Sequence, residues 1–293
     1  MNLASLITLA LKLSVMLIVF SLGLGVSATD VLYLRRRPGL LIRSLLSIDL
    51  AMPLVAAAMA TIFHLRPPVE IALVALAIAP VPPLLPRKGL KAGGHAPYMF
   101  SLLVAAAVFA IVFIPIAVLL IGRTSGLNVR QSAASIAELV FLTVLLPLSA
   151  GILMKLFAPI LGKRALKPVS VAGSVLLLVS LIPTLFTQAA AMFSLIGNGT
   201  LAAIIGFIVA GLFIGHVIGG PEPENRTTLA LFTAARHPGI AVAIAATNFP
   251  QQKLVLPTVL LYLLINAIVS SAYLSWRRNA ESKKTSNLVN AST

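Results

Sequence analysis

Apolar runs of about 20 residues recur along the whole chain, and each is long enough to cross the hydrocarbon core of a bilayer as a helix. Of the 293 residues, 59% are hydrophobic and only 10% are charged, so the chain has more apolar surface than a water-soluble protein of this length can bury. Lipid offers no hydrogen-bond partners to the backbone, so such runs must be helical. The sequence therefore predicts an all-α, multi-pass integral membrane protein.

About nine spans can be placed on these runs, and their direction follows from the lysines and arginines, which concentrate in cytoplasmic loops. With the N-terminus outside, sixteen of the 22 basic residues fall on the cytoplasmic side and four outside, whereas Lys12 and Arg236 lie within spans. We therefore expect an external N-terminus and a cytoplasmic C-terminus, in a membrane of the bacterial plasma (inner) type. The predicted spans are residues 6–28, 39–63, 69–91, 97–122, 136–156, 168–188, 200–219, 227–248 and 254–275.

Two of the predicted spans carry residues that a continuous helix does not accommodate. Several prolines close together each remove a backbone donor and clash with the preceding turn. Interrupted helices at corresponding places in two inverted halves are typical of the central site of a secondary transporter, although two unrelated kinked helices are the alternative. We predict that the two breaks cross near the middle of the membrane. The break residues are Pro80, Pro82, Pro83 and Pro86 in the third span, and Arg236, His237, Pro238 and Gly239 in the eighth.

Three stretches of the chain carry motifs in a characteristic order. The first is FSLGLGVSATDVLYLRRRPGLLIRSLLSIDLAMPLVAAAMATIFHLRPPVEIALVALAIAP, with a glycine-rich helix, Met52-Pro53 and a helix that runs into Pro80. The others are LLPLSAGILMKLFAP and LYLLINAIVSSAYLSW, which contains Asn266. Together they resemble the bile acid:sodium symporter family, which has an asparagine at the place of Asn266 in its last helix. The resemblance extends from about residue 15 to 277 and depends on order and spacing more than on any single motif.

The resemblance implies inverted repeats, two crossed discontinuous helices and two domains. A panel domain would comprise residues 1–37 and 136–196, with spans one, five and six. A core domain would comprise residues 38–135 and 197–277, with the other six spans. Residues 278–293 would form a short cytoplasmic tail, which we expect to be disordered because it is polar. An organic anion would bind in the cleft between panel and core.

The chain departs from the family at all three patterns that carry sodium chemistry. Ile48 stands at the place of a glutamine, and residues 80–86 offer no side-chain oxygen. On the second broken helix the family has Glu-Thr-Gly-x-Gln-Asn, and residues 232–237 keep only Thr233. Sodium needs several oxygen ligands, and Arg236 would repel it. We therefore do not expect sodium coupling.

Arg236 takes the place of an ion-binding glutamine in this comparison, so its guanidinium is a candidate substitute for the missing ion. A charge in mid-membrane needs a partner, and Asp49 is the one carboxylate deep within a predicted span. We predict an Asp49–Arg236 pair used in the substrate cycle, with a purely structural pair as the alternative. His237 is either a proton relay or a neutral ring satisfied by backbone groups at the break. Thr233 and Asn266 complete the predicted substrate and coupling residues.

We predict a carrier for a small organic or amphipathic anion that works by alternating access. The alternative is a receptor or regulatory membrane protein that binds its ligand without cycling. An enzyme is disfavoured because the four histidines are scattered without ligand spacing and no pair of aspartates lies in the spans. We expect no cofactor and no metal site. The expected partners are membrane lipid and an anionic substrate, and nucleic acid is not expected because the basic residues form no single patch.

Overall fold

The helices of the protein follow its apolar runs, which satisfy their own backbone groups. The computed structural model describes residues 3–26, 28–83, 85, 94–124, 138 and 140–292, and no strand occurs within these ranges. In chain order the helices are α1 (Leu3–Gly25), α2 (Ala28–Val31), α3 (Pro38–Leu45), α4 (Met52–Ile62), α5 (Pro67–Ile78), α6 (Ala96–Thr124), α7 (Leu146–Phe157), α8 (Pro159–Leu195), α9 (Thr200–Ile218), α10 (Pro223–Ala234), α11 (Pro238–Asn248) and α12 (Val255–Ser292). A 3₁₀ turn covers Leu34–Arg36, and π-helical segments cover Leu46–Ala51 and Phe141–Leu145.

Proline marks where many of these helices begin. Pro67, Pro159, Pro223 and Pro238 each stand in the first turn of a helix. A proline there loses nothing, because the first N–H groups of a helix have no partner within it and the fixed φ of proline suits the helix. The frequent prolines therefore divide the apolar sequence into separate helices.

Six of the described helical stretches are long and apolar enough to cross a membrane. They are Pro38–Ile62, Ala96–Val118, Pro159–Leu195, Thr200–Ile218, Pro223–Asn248 and Val255–Ala280. Three shorter apolar helices lie at Leu9–Gly25, Pro67–Ile78 and Phe141–Phe157. The chain is therefore a multi-pass membrane protein. The count of nine spans and the inverted repeats stay predictions.

Helices α1, α7 and α8 pack on one another through small residues. Gly23 of α1 and Gly151 of α7 bring the two backbones into contact, so that a Cβ on either would strike the main chain of the other helix. On the other side of α1, a Cβ on Gly173 of α8 would lie 2.9 Å from Ile18 Cγ1. Close backbone approach through glycine is typical of helix pairs in membranes. These three helices are the predicted spans one, five and six, but the division into panel and core domains stays a prediction.

Two spans differ most in the share of their residues that is buried, and this difference distinguishes the inside of the molecule from its outside. Within the apolar window of α10 and α11, 72% of the residues are buried inside the protein, whereas the figure for α8 is 11%. Helices α5 and α12 pack against α11, and α9 packs along α10. The interrupted eighth span is therefore the central element, and α8 faces lipid.

Two predictions from the sequence are wrong about where helices start and stop. The basic loop before the sixth span, with Lys163, Arg164 and Lys167, is part of α8, which begins at Pro159 and contains Pro168. Lysine, arginine and alanine are good helix formers, and a membrane helix accommodates a proline. The polar tail predicted to be disordered continues α12 as far as Ser292. Residues 278–293 contain no proline or glycine, so nothing in them ends a helix that is already formed.

Candidate functional site at the two helix breaks

The two broken spans meet at their breaks. Helix α5 ends at Ile78, and the chain is non-helical from Ala79 to Pro83. The backbone N–H of His237, in the break between α10 and α11, donates a hydrogen bond of 2.8 Å to the carbonyl of Pro80. The carbonyl of Pro80 lies in the non-helical stretch that follows α5. The third predicted span is therefore interrupted after Ile78 and the eighth between Ala234 and Pro238, and the two interruptions contact each other at Pro80 and His237.

The break in the eighth span is short. Ala235 (φ −88°, ψ 133°) and His237 (φ −75°, ψ 104°) have extended backbone, and Pro238 begins α11. A residue that precedes proline is driven out of the helical region by contact with the proline ring. Pro238 therefore fixes where α10 must already have ended. Gly239 follows in the first turn of α11, where a Cβ would lie 3.4 Å from the His237 ring.

Arg236 lies inside this break and is almost entirely buried, at 1% exposure. Its guanidinium donates to two main-chain carbonyls, with Nη2 at 2.7 Å from the oxygen of Ile48 and Nη1 at 3.4 Å from the oxygen of Ala79. A planar fork of donors suits two acceptors from different segments better than a lysine ammonium would. Arg236 therefore joins three elements: the second span, the end of α5 and the break itself.

The carbonyl of Ile48 lies in a helical segment of irregular register. Leu46–Ala51 is π-helical, and in the i to i+5 pattern the residue opposite the carbonyl of Ile48 is Pro53. Proline carries no hydrogen on its nitrogen, so the i+5 position offers this carbonyl no donor. Arg236 makes its shorter hydrogen bond to this oxygen.

Two helix C-termini lie next to Arg236 in the structure or in the chain. Helix α5 ends one residue before Ala79, whose carbonyl the guanidinium contacts, and α10 ends at Ala234, two residues before Arg236. The C-terminus of a helix carries roughly half a negative charge on its unsatisfied carbonyls, so these ends offset part of the buried positive charge. The Nε atom of Arg236 is buried and has no hydrogen-bond partner among the described residues.

Asp49 does not form the predicted direct pair with Arg236. Among the described side chains no ion pair of 4.0 Å or less joins the two residues, and Asp49 Oδ2 has no hydrogen-bond partner. Asp49 is 5% exposed and feels the charge of Arg236 without contacting it. The guanidinium of Arg236 instead donates to the main-chain carbonyls of Ile48 and Ala79, which occupy the donors that the acid was expected to meet.

Hydroxyl groups complete the packing around the break. Tyr262 of α12 is fully buried, and its hydroxyl donates to the carbonyl of Ala234 at 2.6 Å. Thr233 Oγ1 and Ser47 Oγ lie 2.7 Å apart and link α10 to the π-helical segment. Sequence reasoning named Thr233 but not Ser47 or Tyr262. A tyrosine in the middle of an apolar run was the available signal, since its hydroxyl requires a buried partner.

His237 caps α11. Its Nδ1 accepts a hydrogen bond of 3.4 Å from the N–H of Ile240, which leaves the proton of a neutral ring on Nε2. Nε2 is buried and has no partner among the described residues. The backbone therefore satisfies one nitrogen of the ring and not the other, and both interpretations of His237, a neutral structural ring and a proton relay, stay predictions.

The remaining predicted residues are spread more widely. Pro82 and Pro83 lie in the non-helical stretch after α5, whereas Pro86 lies outside the described residues. Asn266 is half-buried on α12 and accepts a hydrogen bond of 3.0 Å from Ser270 on the same helix. None of the hydrogen bonds of the described residues joins Asn266 to either break, and its part in substrate binding stays a prediction.

An all-helical membrane protein with two interrupted helices crossed around a buried cation belongs to the class of polytopic membrane proteins built for transport. The sequence profile of the Sodium Bile acid symporter family matches residues 12–195, and the chain belongs to that family. Its members are membrane transporters and not enzymes. Comparison with curated proteins finds no match. The matched part includes Asp49 and the first break and ends before α9, so the correspondence of Arg236 to a sodium-site glutamine stays a prediction.

Proposed function

We propose that the protein is a secondary transporter for a small organic or amphipathic anion, that it works by alternating access, and that it does so without sodium. The class of transporter follows from the family. The observation that carries the sodium-independent part is the guanidinium of Arg236, buried at the crossing on the carbonyls of Ile48 and Ala79.

Carbonyl oxygens at helix breaks are the kind of ligand that holds a small cation in transporters of this general architecture. Here two such oxygens are already engaged by a covalently attached cation, which neither leaves nor is replaced during a cycle. A sodium ion beside it would have to compete with the guanidinium for the same two carbonyl oxygens, and like charges repel strongly in a medium of low dielectric constant. Arg236 therefore holds the crossing together in place of a transported ion.

The anion would bind outside this buried cluster, in the cleft that the family resemblance places between the helices α1, α7 and α8 and the rest of the molecule. Arg236 itself is too buried to be presented to that cleft, and both of its terminal nitrogens already donate to carbonyls. Its contribution to the cycle is the geometry of the two broken helices.

Uptake into proteoliposomes tests the proposal. We expect radiolabelled cholate, as an amphipathic anion, or lactate, as a small one, to accumulate equally in sodium and choline media. The Arg236→Gln variant should lose uptake, because it leaves two carbonyls and two helix ends without a cation. Arg164→Gln, which removes an exposed arginine from α8, is the matched control and should retain uptake.

Uptake that stops when sodium is replaced by choline would contradict the sodium-independent mechanism. Saturable binding of either anion to the purified protein, with no uptake under any imposed gradient, would favour a receptor over a carrier.

A further inference from the structure

We propose that Asp49 is a proton-binding site at the crossing and that transport is coupled to the movement of its proton. The coupling half of this inference rests on the proposed transport function. The proton-binding half does not, because it depends only on the surroundings of one carboxyl group.

Asp49 lies where an ionised carboxylate is poorly supported. It is 5% exposed within the π-helical segment Leu46–Ala51, and its Oδ2 atom is buried without a partner among the described residues. A buried carboxylate oxygen that accepts no hydrogen bond makes the charged form of the group costly. The protonated group is neutral and needs far less from its surroundings.

The charge balance of the crossing leads to the same conclusion. Two nitrogens of Arg236 donate to carbonyls, and the C-termini of α5 and α10 contribute roughly half a negative charge each, so much of its positive charge is offset without an acid, although its Nε has no partner among the described residues. An ionised Asp49 would therefore leave the buried cluster with a net negative charge. A protonated Asp49 leaves it close to neutral.

Other polar groups around the π-helical segment are engaged elsewhere. The hydroxyls of Ser47 and Thr233 bond to each other, and Tyr262 donates to Ala234. The neighbouring helices that pack on this segment are α3, α4, α9 and α10. The titratable and charged groups on these four helices are Arg43, His216, Glu224 and Arg226. Arg43 bonds to Gly39, His216 to Tyr273 and Arg226 to Gly220, and Glu224 lies in the first turn of α10. Arg236 is the charge that acts on Asp49.

The proton step balances without any other reactant. Oδ2 takes a proton from water when the site opens to one side of the membrane, and an O–H bond forms. The neutral carboxyl then remains buried while the molecule changes its open side, and the proton returns to water on the other side. With one proton carried for each monovalent anion, no net charge crosses the membrane.

Infrared difference spectroscopy of the full-length protein in lipid nanodiscs tests the proton site without a substrate. At neutral pH we expect the carboxylic-acid C=O band of a protonated side chain. This band should be lost in Asp49→Asn, shifted but present in Asp49→Glu, and unchanged in Glu70→Gln, which removes an exposed carboxylate from the first turn of α5. A wild-type spectrum without the band, or an Asp49→Asn spectrum that keeps it, would overturn the proposal.

Cholate uptake driven by an inward proton gradient tests the coupling. Wild type and Glu70→Gln should accumulate cholate, whereas Asp49→Asn should lose accumulation but keep the exchange of internal for external cholate, since a permanently neutral side chain still lets the cycle run. Gradient-driven accumulation by Asp49→Asn would overturn the coupling. If wild type moves neither cholate nor lactate, the proposed function fails, and the infrared spectra still decide whether Asp49 binds the proton.

Discussion

At the scale of single residues, the unusual feature is a buried arginine that has backbone carbonyls where an acid was expected. The main-chain oxygens of Ile48 and Ala79 lie where the helices are irregular, one in the π-helical segment before Pro53 and the other just past the end of α5. A cation that satisfies such groups gives the break a single geometry. Breaks of this kind are otherwise expensive in a membrane, where each unpaired carbonyl costs several kcal/mol.

Tyr262→Phe should destabilise the protein by about 1–3 kcal/mol, because it leaves the carbonyl of Ala234 without a donor while the ring still fills its space. Thermal unfolding of the detergent-solubilised protein measures this loss. Tyr273→Phe is the control, since Tyr273 is only half-buried and its hydroxyl bonds to His216 Nδ1 near the end of the membrane span. Equal stability of Tyr262→Phe and wild type would show that the bond to Ala234 contributes nothing.

Sequence reasoning reached Arg236, Asp49 and Thr233 because a charge or a break in an apolar run is visible without a structure. It did not identify Ser47 or Tyr262, whose hydroxyls matter only through partners on other helices. It also paired Arg236 with Asp49, the carboxylate that lies deep within a predicted span, whereas the hydrogen-bond partners are main-chain oxygens, which every residue has. Which carbonyl lacks its own helical hydrogen depends on helix register, and the sequence does not state the register.

At the scale of helices, α9 and α10 form an antiparallel pair held together by glycine. Gly211, Gly215 and Gly219 recur every four residues and so lie on one face of α9. A Cβ on these glycines would lie 2.8 Å, 2.6 Å and 2.6 Å from the Cα atoms of Ala234, Ala230 and Arg226 in turn. The two backbones therefore approach closely from Arg226 to Ala234 of α10.

Gly215→Ala should cost about 1–3 kcal/mol, because the added methyl would also meet the carbonyl oxygen of Leu229 at 2.5 Å and the helices must separate. The control is Gly206→Ala on the same helix, where the new Cβ would meet only the end of the Met59 side chain at 3.6 Å. Unfolding temperatures of the two variants give the comparison. Similar temperatures for both would mean that the glycine face does not determine the packing.

The start of α10 should respond to acid. The pKa of Glu222 is lowered by a hydrogen bond from its own backbone, by the amide of Asn225 and by the charges of Arg37 and Arg43. A lowered pKa means that the ionised side chain stabilises the fold above the ordinary carboxyl range, and that this contribution is lost as the pH falls through the lowered value. Hydrogen exchange in the first turn of α10 should therefore increase on acidification relative to the rest of the helix. Glu222→Gln should remove this pH dependence, and an unchanged dependence in that variant would assign it to another group.

At the scale of the whole molecule, the pattern of apolar runs was enough to find nearly every helix, because lipid leaves the backbone no other choice. The pattern did not find the start of α8 or the end of α12, where polar and basic residues extend the helix beyond its apolar part. A helix can therefore extend beyond the part of it that crosses the membrane. Hydrophobicity predicts the limits of the membrane-crossing part only.

The predicted orientation can be tested directly, because the chain contains no cysteine. Lys253→Cys places a single thiol at an exposed position just before α12. Arg278→Cys places one at an exposed position near the end of the part of α12 that is apolar enough to cross the membrane, Val255–Ala280. A membrane-impermeant maleimide should label Lys253→Cys in intact cells and Arg278→Cys only after lysis. The reverse result would place the C-terminus outside.

The glycine contacts between α9 and α10 have a mechanical consequence. Two helices in backbone contact, with no side chain between them to compress, are expected to move as one rigid unit that ends at Ala234, beside the break. The turn before α9 is the natural hinge of such a unit, because Gly197 (φ 120°) and Gly199 (φ 78°) have open space around them. A displacement of α9 would then also displace the break in which Arg236 contacts the second and third spans.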